Sequence, residues 1–513
     1  MCQTDRGEPV VSEQQATSRA EPRYMFGPLE RPGVLLGLRG SQVAILALSL
    51  TLAIGVMNWV DPPGNVGIAA AIALAAAVTC FVPVAGRTVE EWTPVALRYA
   101  WQRGRGRHRW GSATPGLGHD SAGEATADLP ECLAGLQILA APVPAGGEIG
   151  VLWDRRADTY TALLALSGGA FTLLGTGEKH RRLAAWEDVL RGFGGEASPV
   201  HRIQWLERTA PDDGDALGRD LRERRVVPID SPIFRSYLEV LDGAGPASTQ
   251  HEALLAVQIT PRRAGRSMRQ PGRSKSEAAC AVLVDQVRRV DARLSRAGLR
   301  VLQGGLSPRM VARALRVAVE PQARTAMARR ALHHPDAAGA APASAWPLST
   351  EATWRTFRTD AAVHATYWIA EWPRTDVGPD FLGPLLLATN VTRTVSVTME
   401  PVDAAQAIRD VEHARTSEHA EGQLRDAKGF LTSHRRSREQ QNLERRAAEL
   451  QEGYADFRFA GYVTVTAATD EELEEACAEV RLAAQQSNLE IRRLAGEQDL
   501  AFTYTLPLGR GLR

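Results

Sequence analysis

The chain has 513 residues, with 60 basic and 60 acidic side chains. That length suggests two or three domains, and the charge balance argues against wholesale nucleic-acid binding. Cys2, Cys80, Cys132, Cys280 and Cys477 are far apart with no CxxC spacing, so they build neither a zinc site nor an evident disulfide framework, consistent with a reducing compartment. Lysine occurs only at Lys179, Lys275 and Lys428. That skew toward arginine, with abundant Ala and Gly, fits a GC-rich coding sequence and needs no functional cause.

Residues 1–22 are polar and are expected to be a disordered tail. The region 23–110 is dominated by two uncharged apolar runs, at about 42–60 and 66–85. Each has about 20 residues, the length at which an α-helix crosses ~30 Å of hydrocarbon. Asp61, Pro62, Pro63, Gly64 and Asn65 between them break the helix, which predicts a transmembrane helical hairpin. Arg19, Arg23, Arg31 and Arg39 precede it, and Arg87, Arg98, Arg103, Arg105, Arg107 and Arg109 follow it. The positive-inside bias then puts both termini in the cytoplasm, with two spans in the inner (cytoplasmic) membrane. Two alternatives compete: the alanine-rich second run as a buried core helix, and a signal peptide. The latter is disfavoured by the long polar segment ahead of the first run.

Residues 111–130 are expected to be a linker, followed by a first α+β domain over 131–333. Short strands are predicted at Leu136 to Val143, Gly150 to Trp153 and Thr159 to Leu166, with a helix from about Glu178 to Gly192. Further strands follow at His201 to Leu206 and Ala253 to Thr260, with a helix at Ser231 to Leu241 between them. In the helix expected over Ser276 to Ala297, Leu283, Val287, Val290 and Leu294 make one apolar stripe. Ser307-Pro308 opens another helix, since proline at the first turn loses no hydrogen bond. An Ala/Pro linker is expected over 334–349.

A second cytoplasmic α+β domain, 350–513, is predicted as an antiparallel sheet with helices on one face. Val395, Val397 and Met399 alternate with Thr394, Ser396 and Thr398, as in a strand buried on one face. A long charged helical insertion is expected over 401–453, either as a solvated helix pair or as a projection that meets a partner subunit. Phe459 to Thr466 reads as a strand, Thr469 with Glu472 as a capping box, and Leu489 to Leu494 as a last strand.

The chain offers no evident catalytic chemistry. Gly175-Thr176-Gly177-Glu178-Lys179-His180 is the nearest approach to a phosphate loop, but no Gly-Lys pair exists anywhere in the sequence. There is no HExxH and no G-x-S-x-G, His333-His334 falls in linker sequence, and His364 reads as a packed or surface strand residue and not as a ligand. No catalytic, cofactor or metal residue is assigned, and an enzyme is not expected. The basic run Arg103, Arg105, Arg107 and Arg109 sits just beyond a membrane span. That position favours anionic lipid headgroups over nucleic acid.

From about Gly150 onward the chain resembles the N-terminal, non-catalytic region of the large assembly ATPase of type IV secretion and conjugation systems. The residues carrying the resemblance are Trp372-Pro373, Gly378-Pro379-Asp380-Phe381-Leu382 and Leu385-Leu386. They are followed by Met399-Glu400-Pro401-Val402-Asp403, the charged helices, the Tyr462-to-Thr466 strand and Leu506-Pro507-Leu508-Gly509. The N-terminal hairpin resembles the small two-helix inner-membrane subunit of the same machines. In the family the Leu-Pro-Leu-Gly segment leads into the motor domain, whereas this sequence stops at Arg513. The resemblance therefore implies a scaffold, in a homo- or hetero-oligomer, that partners a separate secretion ATPase, other inner-membrane secretion subunits and the lipid bilayer. Two alternatives are a membrane subunit of a type VII-like secretion complex and a membrane-tethered nucleic-acid-binding protein.

Overall fold

The computed structural model describes residues 39–59, 64–84, 86–112, 129–167, 173–195, 198–211, 228, 231–236, 239, 249–269, 271–334, 338–373, 376–387, 391–426 and 434–512. The tail over 1–22 and most of the 111–130 linker lie outside these residues. The molecule is α+β, with two apolar N-terminal helices and a large antiparallel sheet.

Helices α1 (Gly40–Trp59) and α2 (Gly64–Phe81) form the expected hairpin. Both are long and apolar enough to cross a membrane, yet only 6% and 17% of their most apolar windows are buried. A core helix of a soluble body would be mostly buried, so these two are not covered by the described residues. Leu48, Leu50 and Leu74 are each more than half exposed. The second helix ends at Phe81, earlier than the apolar run suggests. Pro83 cannot supply a helical N–H, and Pro83–Val84 (β1) instead pairs with Arg87–Thr88 (β2). Helix α3 (Val89–Gly104) and strand β3 (Arg109–Gly111) follow.

The first half of the body contains β4 (Leu136–Pro142), β5 (Glu148–Asp154), β6 (Thr159–Ser167), α4 (Thr176–Arg191), β7 (Val200–Pro211) and β8 (Thr249–Ile259). Then come the single turn α5 (Pro261–Ala264), α6 (Lys275–Arg296), β9 (Arg300–Gln303), α7 (Pro308–Val319) and α8 (Ala323–His333). Of the helix expected over Ser231 to Leu241, residues 232–236 are helical and most of the remainder lies outside the described residues. The second half contains β10 (Ser349–Ala352), β11 (Phe357–Thr359), β12 (Ala362–Glu371), α9 (Gly383–Leu387) and β13 (Thr392–Pro401). It continues with α10 (Ala404–Asp426), α11 (His434–Gln451), β14 (Phe457–Ala467), α12 (Asp470–Gln486), β15 (Glu490–Arg493) and α13 (Gln498–Thr503).

These strands form one sheet in the order β3-β10-β11-β12-β14-β13-β7-β8-β6-β5-β4, with β9 also paired to β6 and β15 to β12. The order has an internal symmetry. Outward from the centre, β7-β8-β6-β5-β4 matches β13-β14-β12-β11-β10. The connections match too: a helix follows β8 and returns to β9 on β6, and a helix follows β14 and returns to β15 on β12. Even the next contact repeats, since Leu306 N–H donates to Leu163 O on β6 and Leu494 N–H to Thr366 O on β12. The halves meet at β7 and β13, antiparallel, with Val397 opposite Trp205 and Arg393 opposite Thr209. A pseudo-twofold axis normal to the sheet through this pair relates them.

The two α+β bodies read from the sequence are thus halves of one continuous sheet. The expected 334–349 linker is not a free spacer: Ala340, Ala345 and Trp346 are buried against α7, and Ala340 N–H donates to Arg309 O. Composition alone suggested a linker because alanine and proline are common in both linkers and tight packing.

One face of the sheet is apolar and covered by helices. Leu283, Val287, Val290 and Leu294 of α6 lie on Leu164, Leu255 and Val257. Leu473, Cys477, Val480 and Ala484 of α12 lie on Val463, Val465 and Ile369. Each such large side chain contributes roughly 1.5–3 kcal/mol when fully buried. Ser274 caps α6 in a reciprocal box with Glu277, and Ser307 caps α7 by accepting from Met310 N–H. At α12 the box is incomplete: Thr469 Oγ1 accepts from Glu472 N–H, but Glu472 reaches Ala468 N–H instead of its cap residue.

Candidate functional site at the junction of anchor and strap

The opposite face changes chemistry at the centre. In the first half it is apolar at Leu163, Leu206 and Leu254, under Val311, Ala312 and Leu315 of α7, with Gln204 and Gln258 buried farther along the same face. In the second half it carries His364, Thr366, Ser396, Thr398, Thr464 and Thr466, all buried. This corrects the expectation for β13: the Ser396 and Thr398 side is 0% exposed, so both faces of the strand are covered. The cover is residues 504–511, which run across the sheet as an irregular strap after α13.

Strand side chains hold this strap by its main chain. Gln204 Nε2 donates to Tyr504 O and Leu506 O, both at 2.9 Å, and Gln204 Oε1 accepts from Gly509 N–H at 2.8 Å. Gln258 Nε2 donates to Leu508 O at 2.7 Å, Ser396 Oγ to Tyr504 O at 3.0 Å and Thr398 Oγ1 to Arg510 O at 3.0 Å. The Tyr462 hydroxyl donates to Gly511 O, and Thr464 and Thr505 hydroxyls meet at 2.6 Å. Buried carbonyls need such partners, because an unsatisfied one costs ~1–3 kcal/mol. Gly509 has φ +62°, and a Cβ there would come within 2.6 Å of the Gln258 side chain. Arg510 closes the strap by bonding Cys132 O at 2.7 Å and Asp154 at 2.6 Å.

His364 lies under the same layer, between Thr359 at 2.7 Å and Thr466 at 2.9 Å, with its ring 4.4 Å from that of Phe502. Burial pushes its pKa down to about 3, so the imidazole is neutral. It is a packed residue, the buried one of the two readings its strand position allowed. Arg393, fully buried on the helix-covered side, donates to Leu385 O at 2.6 Å, Leu386 O at 2.5 Å and Val391 O at 3.2 Å. It thereby caps the C-terminal end of α9, and desolvation lowers its pKa to about 10.

Helix α3, with β2 ahead of it, grips α13, which leads into the strap. Arg87 meets Glu497 at 2.8 Å, Arg98 meets Asp499 at 2.8 Å, and Gln102 reaches the same Asp499 oxygen at 3.3 Å. Arg492 donates to Gly86 O at 2.6 Å. Trp354 stacks on Trp92, with centroids 5.8 Å apart, and takes Tyr99 edge-on at 5.0 Å. Above this, Arg39 bonds Glu91 and Gln42 Nε2 donates to Cys80 O at 2.9 Å, tying both hairpin helices to the head of α3. A path of polar contacts therefore runs from the hairpin through α3 and α13 to the strap.

The four candidate arginines separate in space. Arg105 and Arg107 lie over the Trp101 ring at 4.2 and 4.9 Å, with Arg107 also 3.7 Å from Glu131. Arg103 bonds the Tyr99 hydroxyl at 3.3 Å, and Arg109 enters β3, where it pairs with Glu351 at 2.8 Å. Lys179, in the weak phosphate-loop candidate, pairs with Asp380 at 2.6 Å. Among the described residues no group of three His, Cys, Asp or Glu side chains is placed to hold a metal ion. Two open depressions flank α12, one lined by Leu387, Glu479 and Leu482 and the other by Trp372, Arg481 and Asn488.

Sequence reasoning did not find the strap contacts. Their signal was Gln204, Gln258, Ser396 and Thr398 at alternate strand positions, which reads equally well as a solvent face. No protein-family model matches the chain, and no curated protein matches it either.

Proposed function

We propose that this protein is a non-enzymatic scaffold subunit of a conjugation-like or type IV secretion-like complex. In this reading α1 and α2 sit in the inner membrane, both termini lie in the cytoplasm, and the sheet body is a docking platform for a separate motor ATPase. The observation that carries the reading is the exposed apolar hairpin joined to the body by contacts too specific for a loose tether. Arg87–Glu497 and Arg98–Asp499 are largely withdrawn from water, with Glu497 and Asp499 buried. Such pairs fix geometry more than they add stability, and removing one partner strands the other charge. A platform that takes load from a motor needs this rigid connection, whereas a flexible tether does not.

The nucleic-acid alternative draws less support, because the four arginines do not make one surface: Arg109 pairs with Glu351 in β3, Arg103 bonds the Tyr99 hydroxyl, and Arg105 and Arg107 lie over Trp101. The test is affinity purification of the full chain from detergent-solubilised membranes. The expected result is recovery together with a motor ATPase and other inner-membrane subunits. Recovery alone, at high yield and under mild detergent, would count against the scaffold reading.

A further inference from the structure

We propose that the face of α3 turned away from the body, Leu97 and Trp101 with Arg105 and Arg107, is an interfacial lipid-binding surface. It would lie in the headgroup layer of the membrane that takes the hairpin and engage anionic lipids there. The inference rests on the membrane reading of α1 and α2 and adds a second, peripheral contact to it.

Three observations place α3 there. First, its head is locked to the base of the hairpin. Only the β1–β2 turn separates Phe81 from Val89, Trp92 Nε1 donates to Val84 O at 2.8 Å, and Arg39 and Ser41 reach Glu91 and Glu90. The first turn of α3 therefore starts where the apolar span stops.

Second, α3 has two unlike faces. Arg98, Gln102 and Tyr99 are engaged with Asp499 and Trp354. Thr93, Leu97, Ala100, Trp101 and Gly104 fall on the other side at helical spacing and are all exposed, Leu97 by 66% and Trp101 by 44%. Phe81, Val82 and Val84, between the apolar span and α3, are exposed as well. The stripe's place directly after an uncovered apolar span is the reason for assigning lipid, and not a soluble partner, as the occupant.

Third, the residue types suit the interface. Tryptophan combines an apolar ring with one N–H donor and concentrates at the membrane–water boundary. The Arg105 and Arg107 guanidinium groups lie over that ring, and a guanidinium stacked by its face keeps its in-plane N–H donors for a phosphate. Near an anionic leaflet each arginine strengthens binding by about fivefold. Arg109 is left out of this surface, since it lies in β3 and pairs there with Glu351.

The test uses the full chain in nanodiscs of phosphatidylcholine, with and without phosphatidylglycerol. Single cysteines, Leu97→Cys or Leu48→Cys in a Cys2→Ser background, carry an environment-sensitive fluorophore; the remaining cysteines are buried. The expected result is quenching of the Leu97 label by a quencher at headgroup depth and of the Leu48 label by a deep acyl-chain quencher. Phosphatidylglycerol should strengthen the Leu97 signal, and Arg105→Ala with Arg107→Ala should remove that lipid dependence. A water-like Leu97 label beside a quenched Leu48 label overturns this inference and leaves the hairpin reading intact. Two water-like labels overturn both. A Leu97 label shielded from water but untouched by either quencher is covered by protein, which also overturns it. Equal Leu97 quenching in both lipids, unchanged by the arginine substitutions, overturns the anionic-lipid assignment.

Discussion

The two halves of the sheet share strand order, crossing helices and even the backbone contact after the last strand, yet they cover one face in opposite ways. In the first half α7 lays Val311, Ala312 and Leu315 on leucines. In the second, a strap without regular structure lies on serine, threonine and tyrosine of its own half and reaches across the seam to Gln204 of β7 and Gln258 of β8, all of which bond its main chain. A helix satisfies its own main chain, so it needs only an oily seat. An extended segment brings unpaired N–H and C=O groups and can be buried only where the seat supplies partners. The polarity under the strap, on both sides of the seam, follows from what covers it.

That contrast sets the sizes of the expected effects. The largest belongs to the oily half: Leu315→Ala should lose about 2–5 kcal/mol, read as a lower denaturation midpoint for the whole body. A few kcal/mol should also be lost on acidification through His364. Its folded pKa, about 3, lies below the usual value of 6.5, so its contribution is present above pH 6.5 and is lost as pH falls toward 3. His364→Gln should flatten that limb of a stability–pH curve; an unchanged acid limb would remove His364 as its cause.

Under the strap, Gln204→Ala removes a donor from two strap carbonyls and leaves Gly509 N–H without its acceptor. It should cost about 1–3 kcal/mol. Hydrogen exchange should rise over 504–511 and much less over α7; uniform acceleration would mean the strap is not a separate unit. Asp499→Asn weakens the grip of α3 on α13 and should loosen the strap alongside α3, by roughly 1–2 kcal/mol. The smallest effect is expected for Arg109→Ala, whose pair with Glu351 is solvent-exposed and worth under about 1 kcal/mol.

Local pattern made much of the fold legible. The α6 stripe, the Ser307-Pro308 helix start, the β4–β5–β6 run and both apolar helices were readable because each depends on neighbours within a few turns. The join between the halves was not readable. It is made by β7 and β13, nearly two hundred positions apart, and no short-range signal encodes which strand finds which. The Ala/Pro segment before β10 misled for a related reason, since its burial depends on Arg309 and the rest of α7 and not on its own composition. The charged insertion was half legible: α10 and α11 form two helices as expected, and Leu443, Ala447 and Leu450 are only half buried. At the candidate site, the arginine run was visible as a cluster, but the division between Trp101 and Glu351 requires the turn after Gly104.

Everything functional here depends on α1 and α2 being seated in a bilayer, so alkaline carbonate extraction of membranes containing the full chain is the most direct test. The expected result is that the protein stays in the pellet and is released only by detergent. Release into the carbonate supernatant, in the manner of a peripheral protein, would contradict it.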